Sequence, residues 1–200
     1  GAAKPGFAGY VTVSGVHGVI ESSRDPELRR IHNRSYLSTP DGMPMVWVAK
    51  WNGQSEVERV YGPDLMLEVV QATAATGRTH YFWGGNEGVA EELAERMVEQ
   101  FPGTEVTGTC CPPFRPLTNA EEKELVRLLK ERRPHFLWVG LSTPKQERFM
   151  HDLLSRYPDL CDGWGHGLLL FGVGAAFDFH TDRVRQAPGL MQKCGLEWLF

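Results

Sequence analysis

Short runs of β-branched and aromatic residues alternate along the chain with longer segments whose apolar residues recur at helical spacing. That beat is the signature of βαβ units. It predicts an α/β, Rossmann-like fold with a mostly parallel sheet and helices on both faces. Tyr10 to Val13 reads as the first strand, with Ser14 placed to cap the helix after it. Asp25 to Asn33 reads as a short helix and Tyr36 to Ser38 as extended chain. Thr39-Pro40-Asp41-Gly42 reads as a turn, because proline fixes φ and glycine permits φ > 0. Met43 to Trp51 is apolar enough to be expected inside.

From Pro63 the pattern sharpens. Leu65, Val69 and Ala72 fall on one helical face, with Gly77 to end the helix. Tyr81-Phe82-Trp83 predicts a buried strand running into Gly84-Gly85. Asn86 is the expected N-cap of a helix carrying Val89, Leu93, Met97 and Phe101. Glu105 to Thr107 predicts a short strand, and Thr118 with Glu121 a capping box ahead of Leu125 and Leu128. His135 to Gly140 predicts a strand, followed by the loop Ser142 to Glu147 and a helix through about Arg156. Leu168 to Val173 is the last predicted strand. No repeat or linker divides the chain, so residues 1–200 read as one domain.

Composition narrows the class. A net charge of -4 argues against a general nucleic-acid binder, leaving Arg132-Arg133 or Arg183 and Arg185 as local basic patches at most. The four cysteines (Cys110, Cys111, Cys161, Cys194) show neither CxxC pairs nor metal-ligand spacing, so free thiols in a reducing cytosol are expected. The longest apolar run, Leu168 to Phe177, is about half of what a membrane span needs. No signal peptide is visible, and both ends read as trimmed.

In open parallel sheets, ligands sit beyond the carboxyl ends of the strands, and three loops there carry suitable chemistry. Gly84-Gly85-Asn86-Glu87-Gly88 allows close backbone approach but is not a P-loop, since no GKS or GKT follows. In the second loop Thr143 reads as N-cap, Pro144 as N1 and Gln146 as N3. Capping leaves Lys145 unexplained, because a cation at the positive end of a helix is unfavourable without an anion nearby. The third, Gly172-Val173-Gly174-Ala175-Ala176-Phe177-Asp178, superficially resembles a dinucleotide fingerprint but lacks its third glycine. Asp41, on its constrained turn, is the candidate catalytic carboxylate; an aspartate before glycine is also an ordinary turn residue. The histidines, His166 the most conspicuous, show no i, i+4 pairing with acids, and no GxSxG elbow is present.

Taken in order, these pieces resemble the WecG/TagA/CpsF family of bacterial glycosyltransferases. They are Thr39-Pro40-Asp41-Gly42; Glu58 to Leu65 (ERVYGPDL); Tyr81 to Gly85; Val139 to Glu147, with its PKQE string; Gly172 to Asp178; Ala187-Pro188; and Gly195-Leu196-Glu197-Trp198. The resemblance implies an inverting, metal-independent transferase without a cofactor. Its donor would be a UDP-sugar and its acceptor a polyprenyl-diphosphate-linked saccharide. It implies Asp41 as general base, with Thr12 and Gln146 in the catalytic set. Ser14, Arg59, Gly84, Gly85, Thr143, Lys145, Gly174 and Asp178 are the expected substrate-binding residues. It further implies a cytoplasmic protein held at the inner face of the membrane through a C-terminal segment missing here, with room for a homo-oligomer.

Departures from the family pattern leave the sugars open. Ser14 stands where asparagine is common, and Cys111-Pro112-Pro113-Phe114 where Gly-Tyr-Phe is usual. Arg185-Gln186-Ala187-Pro188 is displaced by one residue, and Trp164-Gly165-His166 reads as an insertion. The alternatives are an NAD-linked oxidoreductase using Gly172 to Asp178, or a non-catalytic nucleotide-sugar binder of the same fold.

Overall fold

The computed structural model describes residues 6–196 and residue 199; Glu197 and Trp198 of the last family string lie outside the described residues. The first half of the chain forms β1 (Ala8–Ser14), α1 (Val16–Arg24), α2 (Pro26–Arg34), β2 (Leu37–Pro40), α3 (Met43–Trp51), α4 (Gly62–Thr73) and β3 (Thr79–Gly84). There follow α5 (Val89–Gln100), β4 (Glu105–Cys110), α6 (Asn119–Arg132), β5 (Phe136–Gly140), α7 (Lys145–Arg156), β6 (Leu168–Gly172), α8 (Ala176–His180) and α9 (Gly189–Lys193). The six strands make one sheet in the order β2-β1-β6-β5-β3-β4, parallel at every pairing.

This order decides which face each helix covers. The steps β1→β2, β4→β5 and β5→β6 run one way across the sheet, and β2→β3 and β3→β4 the other. Right-handed crossovers therefore put the two sets of helices on opposite faces. One buried cluster joins Tyr10, Tyr81, Trp83, Leu137, Val139 and Leu170 to α2, α6 and α7 through Ile31, Leu129 and Leu153. The other joins Val11, Phe82, Trp138 and Phe171 to α4, α5 and α8 through Val70, Leu93 and Phe177. Neighbouring strand residues alternate between clusters, as the two-residue period of a strand requires. The α/β, Rossmann-like expectation holds.

Several local expectations are corrected. The buried face of α4 is Met66, Val70 and Thr73, with Leu65 and Val69 on its margin and Ala72 exposed. Thr73 can be inside because its hydroxyl donates to the Val69 carbonyl (2.6 Å) and meets His80 Nε2 (3.0 Å). That helix ends at Thr73, and Gly77 serves a turn beyond it at φ +70°. Met43 to Trp51 is not buried: only Val46 is, while Trp51 is 90% exposed. It follows an edge strand, and the sheet face on that crossover is already covered by α4.

Two helix caps also differ. Ser14 does not cap α1, whose N-cap is Gly15; nor does Asn86 cap α5, which starts after Gly88 in the left-handed region. The Thr118–Glu121 capping box is present as expected. Trp164, from the apparent insertion, is buried in the first cluster, and His166 stacks on His135 at 3.7 Å. All four cysteines are free thiols, with Cys110, Cys111 and Cys161 raised above the usual thiol pKa chiefly by burial.

Candidate active site

Because every strand runs the same way, Ser14, Pro40, Gly84, Cys110, Gly140 and Gly172 all end at one edge of the sheet. The central floor there is bare peptide. A Cβ on Gly84 (φ +147°) would lie 2.6 Å from the Gly140 backbone, and one on Gly140 would lie 2.8 Å from the Phe177 ring. Above this floor opens a cleft of about 700 Å³.

One wall of the cleft is aromatic and apolar. Trp83 and Phe149 stack at 4.0 Å and 7°, and Phe114 of the proline-rich loop after β4 is 90% exposed. Lys145, Arg115, Arg148 and Arg156 bring positive charge. Three of these four are committed to carboxylates: Arg115 to Glu121, Arg148 to Asp25 and Glu27, and Arg156 to Glu122 and Asp152. Lys145 is exposed at the first position of α7 and makes no ion pair with a described residue. The Asp178 carboxylate also lines the cleft, near Gly85 and Gly174.

A second group gathers at the ends of β1 and β2. The Asp41 N–H donates to the Ser14 carbonyl (2.9 Å), which fixes the turn against β1. Val60 N–H donates to the Pro40 carbonyl (2.9 Å), bringing the distant Arg59 alongside. Arg59 Nε stands 3.8 Å from Asp41 Oδ1, its Nη1 donates to Gln192 Oε1 (3.2 Å), and its guanidinium lies 4.4 Å over the Tyr61 ring. Behind them Thr12 Oγ1 donates to Ser38 Oγ (3.0 Å), and Ser14 Oγ lies 3.2 Å from His32 Nδ1. Burial lowers the His32 pKa, opposed by the charge of Glu147.

Between the two groups lies the start of α7. Its N-cap is Pro144 with no side-chain cap bond, so Thr143 is not the cap and Gln146 is the second helical residue rather than the third. The Thr143 hydroxyl donates instead to Glu147 Oε1 (2.9 Å). Gln146 is 3% exposed: its Oε1 accepts the Gly174 N–H (2.9 Å), and its Nε2 donates to Glu147 Oε1 (3.1 Å).

The model of the Glycosyl transferase WecG/TagA/CpsF family matches residues 2–200. The chain belongs to that family. A curated relative from Bacillus spizizenii, N-acetylglucosaminyldiphosphoundecaprenol N-acetyl-beta-D-mannosaminyltransferase, is 24% identical over 181 residues. The match covers 90% of this chain and 65% of the relative, so the chain spans about two thirds of that protein's length.

For a WecG/TagA/CpsF chain, the expected site residues fall into the two groups just described, apart from Thr143 and Gln146 at the start of α7 between them. Gly85, Lys145, Gly174 and Asp178 line the cleft, with Gly84 beneath it. Asp41, Arg59, Thr12 and Ser14 form the other group; Asp41 is 31% exposed at its side chain, whereas Thr12 is 0% exposed. The Gly172–Gly174 turn offers little to a dinucleotide, since the Gly174 N–H is already bonded to Gln146. Sequence reasoning gave no role to Glu147, His32 or Ser38, nor to Phe149 as a cleft wall. The i, i+4 spacing of Thr143 and Glu147 was the one available signal. Among the described residues, no helix is long and apolar enough to cross a membrane, and no group of three or more His, Cys, Asp or Glu is arranged to hold a metal.

Proposed function

We propose that this chain is the catalytic core of an inverting glycosyltransferase that moves a sugar from a UDP-sugar to a polyprenyl-diphosphate-linked saccharide at the inner face of the cell membrane. One observation carries the reading: Lys145, at the positive end of α7 and over a floor of bare glycine backbone, has no carboxylate partner among the described residues. A cation so placed is stabilised by an anion, and a diphosphate fits the space. The aromatic wall suits a nucleobase, and Asp178 can accept a hydrogen bond from an imide N–H such as that of uracil.

In this reading the Asp41 carboxylate takes the proton of an acceptor hydroxyl. The freed oxygen attacks the anomeric carbon from the face opposite the leaving group, and the C–O bond to the β-phosphate breaks. UDP departs with that electron pair, its charge met by Lys145 and the α7 terminus, so no metal ion is required. Thr12 and Gln146, both buried, act from behind by holding β1, β2 and the Gly174 turn. The relative's own named sugar makes N-acetylmannosamine the first donor to try.

The test is calorimetric titration with UDP and with NAD, followed by transfer of radiolabelled sugar from UDP-N-acetylmannosamine to a lipid-diphosphate acceptor, with and without EDTA. UDP binding, no NAD binding and EDTA-resistant transfer are expected. Binding of NAD in place of UDP would sink the reading, and UDP binding without transfer would reduce the chain to a nucleotide-sugar binder.

A further inference from the structure

A side-chain amide can sit either way round, and only its partners decide which end carries the oxygen. At Gln146 the decision comes from two sides. The Gly174 N–H is a donor and demands the oxygen, found at 2.9 Å; Glu147 Oε1 is an acceptor and demands the nitrogen, found at 3.1 Å. The same Oε1 accepts a hydrogen bond from the Thr143 hydroxyl (2.9 Å). One carboxylate oxygen therefore orients both neighbours.

That arrangement is costly. Glu147 is 0% exposed, and its Oε2 has no hydrogen-bond partner among the described residues. An unsatisfied buried polar atom costs stability, and more when charged. Leucine would fill the space without that cost, so packing alone does not account for a carboxylate here. Its charge is also felt by His32, whose Nδ1 lies 3.2 Å from Ser14 Oγ and 3.4 Å from Thr12 Oγ1. Glu147 thus stands between the cleft and the Asp41 group.

We propose that Glu147 is a positioning residue: it holds the Gln146 amide the one way round that fastens the Gly174 turn, and so fixes the cleft wall that carries Gly174 and Asp178. The link to catalysis rests on the glycosyl-transfer reading, whereas the positioning itself does not. Glu147→Gln keeps one oxygen for Thr143 and Gln146; Glu147→Leu keeps the size and loses every acceptor.

Hydrogen exchange at the Gly174 amide, thermal unfolding and UDP titration test the proposal together. In Glu147→Leu the Gly174 amide is expected to exchange about tenfold faster, with the rest of α7 and β6 unchanged and no loss of melting temperature. UDP affinity falls about tenfold in that variant, and Glu147→Gln restores both readouts to within about threefold of the parent. Unchanged Gly174 exchange in Glu147→Leu overturns the proposal. So does faster exchange spread through α7 with a lower melting temperature, or a Leu variant that fails to fold, since either makes Glu147 a support of the fold. If the parent chain does not bind UDP while Gly174 behaves as expected, the glycosyl-transfer reading falls and the positioning role stands.

Discussion

Arg59 Nε stands 3.8 Å from the Asp41 carboxylate, with the two residues brought together by the Val60–Pro40 backbone bond and not by neighbouring positions in the chain. Asp41→Asn removes the proposed base and keeps the shape. Transfer is expected to fall by about 10²–10⁴-fold with UDP affinity within about threefold of the parent. Steady-state turnover beside calorimetry checks this, and unchanged turnover would remove Asp41 from its role.

Lys145→Ala should weaken UDP binding roughly tenfold, about 1.4 kcal/mol, and flatten its dependence on salt. Arg115→Ala, whose guanidinium is already held by Glu121, should change UDP affinity less. Titrations at two ionic strengths separate the two cations.

Stability should fall on mild acidification. His80 Nδ1 accepts the Trp138 indole N–H (3.0 Å), so the ring's proton sits on Nε2, facing Thr73 Oγ1, and a second proton would point at another donor. Burial holds His80 down to about 4 from 6.5, and burial with the neighbouring His166 does the same to His135. These are bases with depressed folded pKa values, so between about 4 and 6.5 the unfolded chain binds more protons than the folded one. Their contribution is complete above about pH 6.5 and is lost as pH falls towards 4. Urea midpoints from pH 7.5 to 4.5 check the slope, which should shrink in His135→Phe.

Gly84→Ala should destabilise the fold by about 1–3 kcal/mol and weaken UDP binding as well. The new methyl would meet the Gly140 backbone at 2.6 Å, where neither partner is a flexible side chain. Gly163→Ala, at a positive φ but in open space, should cost stability and leave UDP affinity alone. Denaturation and titration of the pair distinguish strain from loss of the site.

The sheet was legible because alternation in Tyr81-Phe82-Trp83 and Leu168 to Phe171 feeds two cores at once, and only a strand covered on both faces needs that. Helix phase was less legible. The α4 stripe Leu65, Val69 and Ala72 obeys helical spacing, yet Thr73 is inside in place of Ala72 because the helix backbone and His80 satisfy its hydroxyl. Caps failed for a related reason. Ser14 and Thr143 have the right chemistry to cap, but their hydroxyls find His32 and Glu147, partners far off or a full turn along.

The site was legible as a set of loops and not as a set of contacts. Lys145 stands out in the sequence because capping does not explain it, and it makes no ion pair with a described residue. Glu147 passed as the tail of a motif, since burial of a single carboxylate leaves no trace in residue order.

Parallel strands also give this molecule a front and a back. The back carries the His135–His166 stack at the starts of β5 and β6 and the Lys130–Asp159 pair at the far ends of α6 and α7. None of it touches the cleft. A label or surface tether attached through Lys130 would therefore present every strand end outward at once, turning a freely tumbling molecule into an oriented layer with its cleft facing the solution.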